Sequence, residues 1–333
     1  MSLAIGIIGT GVMGADHART IARQIGGAHV AAIADADVKR AEAVAAETGA
    51  RHCFADPLAL IASTDVDAVL IASPDHTHAT FTLACLDARK PVLCEKPLAP
   101  SIAECLKLVA AETALGARLI QVGFMRRFDP AYVEMKHKAT SGDIGAALML
   151  HCVHRNASAP PTFDAVSSIN NSAVHEFDIS RWLLDADIAK VHVFQSLQSS
   201  AVKFQDPMVT VLHNTRGQLI DIEVFVNASY GYDIRGELVC EKGTVSLSPI
   251  VNSEVRVSGG QSFGLPPDWR PRFAAAYRIQ LQAWVAAIAS GKPAGASAWD
   301  GYAATAIAAA GVRSYQSGQT AAVEMEPRPA LYA

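Results

Sequence analysis

Three short runs in this 333-residue chain combine residue types suited to redox chemistry. Gly9-Thr10-Gly11-Val12-Met13-Gly14 sets three glycines at G-x-G-x-x-G spacing directly after the apolar run Ala4-Ile5-Gly6-Ile7-Ile8. In that context the first glycine permits a tight turn, and the second lets backbone approach a pyrophosphate. The third allows close helix packing, and the helix start supplies amide donors and a positive dipole end. Asp35 ends the next apolar run, where a carboxylate can accept from both adenosine ribose hydroxyls and repel a 2′-phosphate, which favours NAD over NADP. Lys39 and Arg40 stand close by; a solvated helix face is the alternative reading for them.

Ser73-Pro74-Asp75-His76-Thr77-His78 follows a further apolar run. His76 and His78 have the chemistry of bases or metal ligands. No carboxylate or cysteine accompanies them at ligand spacing, so they read as a loop and helix start beside the cofactor. Glu95-Lys96-Pro97 closes the next run. An ammonium there stabilises a developing alkoxide or, in reverse, polarises a carbonyl, while Glu95 orients the lysine or the neighbouring backbone. Alone, this tripeptide is an ordinary surface turn.

The elements that position these residues alternate. Short apolar runs at 4–8, 30–34, 68–72, 91–94 and 119–122 read as strands buried on both faces, the mark of a parallel sheet. Helical patterns lie around 13–25, 37–48, 76–88 and 101–115. The last opens with the capping box Ser101-Ile102-Ala103-Glu104. The spacing predicts an α/β fold whose N-terminal part, 1–122, is a doubly wound Rossmann sheet. Beyond residue 123 a helix at about 130–140 is followed by extended patterns at 146–153, 189–198, 208–214, 218–227, 234–240, 244–248 and 254–258. Several alternate, which predicts a largely antiparallel open sheet with one covered face in a second α/β domain, 123–333. A helix near 171–184, a loop at 258–271, and Ala-rich helices at about 273–290 and 298–316 complete the pattern.

Composition removes several function classes. The formal charge is −4, from 28 basic and 32 acidic residues, so no basic surplus exists to hold nucleic acid or an anionic membrane. No apolar run reaches the ~18–20 residues of a membrane-spanning helix. The first residues lack a charged leader and do not read as a signal peptide. Cys53, Cys85, Cys94, Cys105, Cys152 and Cys240 are scattered singly, without zinc spacing, and read as buried thiols of a cytoplasmic protein with no metal site.

The glycine run, the acidic end of the second strand and Glu95-Lys96-Pro97 together resemble the glucose–fructose oxidoreductase/inositol dehydrogenase family (Gfo/Idh/MocA). Gly123-Phe124-Met125-Arg126-Arg127-Phe128-Asp129 is similar to that family's domain junction. His151-Cys152-Val153-His154-Arg155-Asn156, the run His175–Leu183, Asp268-Trp269-Arg270-Pro271-Arg272-Phe273 and Trp299-Asp300-Gly301-Tyr302 are similar to its inositol 2-dehydrogenase branch. The resemblance implies a Rossmann domain followed by an α/β domain whose open sheet faces build a homotetramer. It also implies a catalytic lysine at Lys96 and a catalytic histidine at His175. Read from the residue alone, His175 suits proton transfer, since an unperturbed imidazole titrates near ~6.5.

The branch carries aspartate four residues before that histidine, where this chain has Asn171. Asparagine hydrogen-bonds a hydroxyl but takes no proton as a carboxylate does. Either His175 acts as sole base or Asn171 marks a shifted substrate preference. Gln280 replaces a glutamate of the branch. Met125, Arg126, Asn156 and Tyr277 match substrate-pocket positions. The alternative for Arg126 and Arg127 is a surface pair, and for Tyr277 helix packing.

The expected reaction is reversible oxidation of a ring secondary alcohol. His175 removes the hydroxyl proton, Lys96 holds the oxygen, and hydride passes to NAD. This requires Lys96 and His175 to act on one alcohol. Polar Asn156, Asn171 and His175 suit an uncharged, hydroxyl-rich substrate: myo-inositol or a stereoisomer first, an aldopyranose second. A non-catalytic cofactor-binding regulator would need neither Lys96 nor His175.

Overall fold

The computed structural model describes residues 2–200, 202–248 and 253–333. The chain forms two compact units. One comprises Met1–Phe128, Ala276–Thr305 and Glu326–Ala333; the other comprises Asp129–Ala275 and Ala306–Met325.

The first unit is built on six strands: β1 (Leu3–Ile8), β2 (Ala28–Ala34), β3 (His52–Phe54), β4 (Ala68–Ile71), β5 (Val92–Cys94) and β6 (Ile120–Val122). They lie in the order β3-β2-β1-β4-β5-β6, all parallel. The order reverses direction between β1 and β4, and ligands of doubly wound sheets bind at that switch point, beyond the carboxyl ends of the strands. The crossovers are α1 (Val12–Gln24), α2 (Val38–Thr48), α3 (Pro57–Ala62), α4 (His78–Asp87) and α5 (Ile102–Leu115). Ser101 caps α5 by accepting from the Glu104 N–H at 3.2 Å; its hydroxyl then donates to Glu104 Oε2 at 2.6 Å. The glutamate of this box thus takes the serine proton instead of the backbone one.

The returning chain completes this unit. Leu281, Trp284 and Val285, from the helix that ends at Ser290, join Ile5, Ile7, Ile21 and Val30 in one apolar cluster. The Gln282 amide clamps Gly26 from both sides, accepting from its N–H at 2.9 Å and donating to its carbonyl at 3.1 Å. Ala296 pairs with Val122 at the free edge of β6, which covers the last strand. The C-terminal Tyr332 hydroxyl reaches the buried Glu112 carboxylate, which also accepts the Leu119 and Ile120 N–H groups.

The second unit carries α6 (Pro130–Ser141) and a seven-stranded sheet. Its strands are β7 (Ala147–Arg155), β8 (Ile188–Gln195), β9 (Met208–Asn214), β10 (Leu219–Phe225), β11 (Asp233–Cys240), β12 (Gly243–Ser246) and β15 (Ala321–Ala322), in the order β12-β11-β7-β10-β9-β8-β15. Only the central β7–β10 pair is parallel. β9 and β10 alternate strictly between buried and more exposed positions, so one face is covered. The one-turn helix α7 (Ala165–Ser167), a wide turn at Ser168–Ser172 and α8 (Val174–Leu184) follow β7. α9 spans Trp269–Ser290 and α10 spans Ala298–Ser317. Gly311 of α10 sits against Ile169 and Val191, and Ser314 accepts from the Val193 N–H at 2.9 Å. The uncovered face bears Phe194 and Val209 among the pairs His151–Asp221 and Arg155–Glu223.

Three expectations change. The stretch 258–271 is not a plain loop, because β13 (Glu254–Val257) and β14 (Gly260–Phe263) form a hairpin across it. Left-handed Ser258 and Gly259 make its two-residue turn; β13 falls on the extended pattern expected at 254–258, whereas β14, wholly exposed, shows no apolar period. β3 and α3 are additional elements. Cys53 is exposed on the edge strand β3, whereas the other five cysteines are buried; none of the six is in a disulfide.

Candidate active site

The turn after β1 is the candidate cofactor-binding turn. Gly9 has φ +89°, and a Cβ there would meet the Ser73 N at 2.6 Å. A Cβ on Gly14 would meet the Gly9 carbonyl oxygen at 1.9 Å, so only glycine lets α1 pack onto the turn. Around Gly11 nothing lies within 4 Å of a notional Cβ. Gly11 is also the N-cap of α1, with no side chain on the first amides and no acidic residue in the first turn. Open space at a bare helix start fits a pyrophosphate. Val12 is exposed and Met13 partly buried at the same helix start.

Asp35, at the end of β2, is buried and saturated with donors. Thr10 N–H and Oγ1 reach its Oδ2 at 2.6 and 2.7 Å; Asp37 N–H and Arg40 Nη2 reach its Oδ1 at 2.8 and 2.7 Å. Burial pushes this carboxyl up, but Arg40, Thr10 and the two amides outweigh it and hold the pKa at about 2. The charged form is therefore the resident one. Arg40 is no bystander on a solvated face, since its guanidinium is engaged with Asp35.

Ser73, Pro74 and His76 lie just after β4, across the switch point from Gly9. Ser73 bonds Thr77 at 2.6 Å, while Pro74 and His76 are exposed. His78 holds this loop to the next: its Nδ1 lies 2.7 Å from the Pro97 carbonyl and its Nε2 2.9 Å from the Ser73 carbonyl. Two carbonyl acceptors call for two N–H donors, which only the imidazolium has. Burial works against that charge; the Cys94 sulfur, the Pro97 carbonyl and Asp75 outweigh it and push the pKa up to about 10.

Lys96 begins the turn after β5, on the same edge of the sheet as the glycine turn, and its bond to Pro97 is cis. Glu95 is buried beneath it. Its Oε2 takes the Lys96 N–H at 3.2 Å and its Oε1 lies 2.7 Å from His17 Nε2. Tyr277 sets its ring edge-on to His17 at 5.6 Å, so helix packing is part of its role. Met125 and Arg126 form a short 3₁₀ turn after β6 and are buried, which removes the surface-pair reading of Arg126. Arg127 binds Asp300 at 3.1 Å. The first unit thus gathers Gly9, Gly11, Val12, Met13, Gly14, Asp35, Ser73, Pro74, His76, Glu95, Lys96, Met125, Arg126 and Tyr277.

The second unit holds Asn156, Asn171 and His175. Asn156 follows β7 and is fixed through its backbone to Phe225 and Ala228. Asn171 lies in the wide Ser168–Ser172 turn, a helical distortion frequent at functional sites, and His175 opens α8 directly after it. Both are partly buried. The His154 ring stands 6.1 Å from that of His175, and its Nδ1 lies 3.0 Å from the fully buried Glu176 carboxylate. Tyr232 meets His154 edge-on at 6.1 Å. Sequence reading missed His17, His154 and Tyr232 as individual residues. His154 sat inside a quoted motif, but nothing local marked its partner.

Among the described residues no cluster of three His, Cys, Asp or Glu side chains could hold a metal ion, and no helix is long and apolar enough to cross a membrane.

The parallel six-stranded order with a bare glycine turn at its switch point defines a dinucleotide-binding oxidoreductase fold. Two family models agree: an oxidoreductase family with an NAD-binding Rossmann fold matches residues 3–124, and its C-terminal alpha/beta domain matches 139–325. The chain belongs to this Gfo/Idh/MocA family of NAD-dependent oxidoreductases. It is 52% identical to inositol 2-dehydrogenase 1 of Saccharopolyspora erythraea over 335 aligned residues, covering 100% of this chain and 99% of the relative. The inositol 2-dehydrogenase of Mycolicibacterium smegmatis is 44% identical, covering 99% and 98%. Among solved structures, myo-inositol dehydrogenase of Lactobacillus casei in complex with NAD(H) and myo-inositol superposes with a TM-score of 0.96 at 32% identity, covering both chains fully.

Proposed function

We propose that this protein oxidises a ring secondary alcohol of a cyclic polyol, myo-inositol or a stereoisomer, to a ketone with NAD. The observation that carries the reading is Lys96 at the carboxyl end of β5, on the sheet edge that holds the glycine turn, in a chain alike over its whole length to inositol 2-dehydrogenases.

In this reading Gly9, Gly11 and Gly14 keep backbone and helix start open to the pyrophosphate, with Val12 and Met13 over it. Asp35 accepts the adenosine ribose hydroxyls, and Ser73, Pro74, His76 and Glu95 wall the cofactor. Bound NAD supplies the two-electron acceptor for the carbon-bound hydrogen. Lys96 donates to the substrate oxygen and stabilises the charge that builds on it. His175 takes the hydroxyl proton, and Asn171, at the aspartate position of the branch, donates or accepts a hydrogen bond without taking that proton. Met125, Arg126, Asn156 and Tyr277 are the further substrate-binding residues in this reading. The part carrying 1–122 serves the cofactor, and 123–333 serve substrate and assembly.

The exposed apolar residues and ion pairs on the open face of the second sheet support assembly into a homotetramer through that face. Six cysteines without a disulfide support residence in the reducing cytoplasm. The test is absorbance of reduced nicotinamide with NAD and a panel of inositols and aldopyranoses. Turnover restricted to the sugars, or absent with every inositol, overturns the substrate assignment.

A further inference from the structure

His17 is a buried histidine on the cofactor helix α1 with no place in the reaction described above. It is 2% exposed, and its Nε2 is 2.7 Å from the Glu95 carboxylate, 78 positions away in the chain. Glu95 in turn holds the backbone N–H of Lys96 at 3.2 Å. Its carboxyl lies so close to Gly123 that a Cβ there would meet Oε2 at 2.8 Å. The carboxylate is therefore wedged between α1, the end of β5 and the chain after β6, with His17 as its one side-chain donor among the described residues.

We infer that His17 is a positioning residue: through Glu95 it fixes the backbone from which Lys96 projects, and it ties that backbone to the helix whose first turn faces the pyrophosphate. This rests on the proposed role of Lys96. The physical need is plain. A carboxylate in so dry a place is costly unless its lone pairs are engaged. Burial pushes the Glu95 carboxyl up, but the His17 hydrogen bond and the charges of His17 and Lys96 outweigh it and hold it below the usual range. These are the titratable groups acting on the carboxylate; Tyr277 of α9 meets His17 through its ring. Without the imidazole, Lys96 is the remaining cation acting on Glu95. The carboxyl then either takes up a proton or draws the ammonium away from the substrate oxygen.

The test compares wild type, His17→Phe and His17→Gln with NAD and myo-inositol across pH. Phe keeps the packing on Tyr277 but has no donor, whereas Gln keeps an N–H donor. His17→Phe is expected to lower kcat by about 10- to 100-fold, as for a small misplacement of a reacting group. The KM for NAD stays within about twofold, and the acid limb of kcat, which the base sets in wild type, moves to higher pH, because unpaired Glu95 protonates in the assay range. His17→Gln restores most of kcat. A His17→Phe enzyme with wild-type kcat, or one that loses kcat without a change in pH profile, overturns the inference, as does His17→Gln no better than His17→Phe. Should His17→Phe not fold, the pH profile of His17→Gln decides: an acid limb moved to higher pH supports the dyad, and one superposable on wild type overturns it.

An inactive wild type instead removes the proposed function and leaves the dyad to be read from melting. Paired Glu95 adds stability above the ordinary glutamate range. The Tm gap between wild type and the variant therefore widens as pH rises from about 4 to about 7. Parallel melting curves overturn the pairing.

Discussion

Arg40 Nη2 lies 2.7 Å from Asp35 Oδ1, so a cation is docked on the carboxylate proposed to hold the adenosine ribose. The arginine is half exposed, whereas Asp35 is buried. Asp35→Ser removes the carboxylate that repels a 2′-phosphate and releases Arg40 to meet one. We expect KM for NAD to rise about tenfold or more, on the scale of a hydrogen bond to a charged group, and KM for NADP to fall. Paired initial-rate assays with the two cofactors check this. An unchanged ratio would mean that the ribose is not held here.

Lys96→Met keeps the length of the side chain and removes its charge. The expected result is a fall in kcat of about 10²–10³-fold, the scale of losing a donor to a developing oxyanion. NAD affinity, measured by fluorescence titration, stays within about twofold. Retained turnover would take the lysine out of the mechanism.

At position 171 the replacement runs the other way. Asn171→Asp restores the carboxylate of the branch at the wide turn before His175. Activity on inositols is expected to be kept or to rise. A folded, inactive variant would show that the amide has a role of its own.

His78 ties stability to alkaline pH. Its folded pKa, about 10, lies above the unfolded value of ~6.5. The stability it contributes is therefore complete below that unfolded value and is lost as pH climbs through about 10. His78→Leu should lower Tm at neutral pH, since the Ser73 and Pro97 carbonyls lose their donor. The difference from wild type should shrink toward pH 10, as measured by thermal melts over that range. A constant difference would argue against the charged form.

Much of the first unit could be read along the chain because its determinants are local. The long strands are mostly apolar, the longer crossover helices carry their own period, and the three glycines stand next to the strand that needs them. β3, with three residues, and α3, with six, are too short to show a period. β14 buries nothing and leaves no pattern, although its partner β13 was legible at 254–258. The Glu95 side was legible as a motif, but its partner His17 was not, since their pairing exists only once α1 packs beside β5. The same holds for His154 and Glu176, joined from β7 and α8 within the second unit. His78 was legible as part of a loop and helix start, but its charge was not, because the Pro97 and Ser73 carbonyls meet its two ring nitrogens only in the folded chain.

The return of Ala276–Thr305 and Glu326–Ala333 to the first unit has a consequence for biosynthesis. Domains made early on the ribosome usually fold before later ones emerge. Here the nascent nucleotide-binding half lacks Leu281, Trp284 and Val285, and the strap over its last strand, until translation is nearly over. The earliest-made sheet thus waits, with an unsealed greasy flank, for almost the final segment of the polypeptide. A chain stalled or truncated before Ala276 is accordingly a client for chaperones or proteases, not a free-standing NAD-binding module.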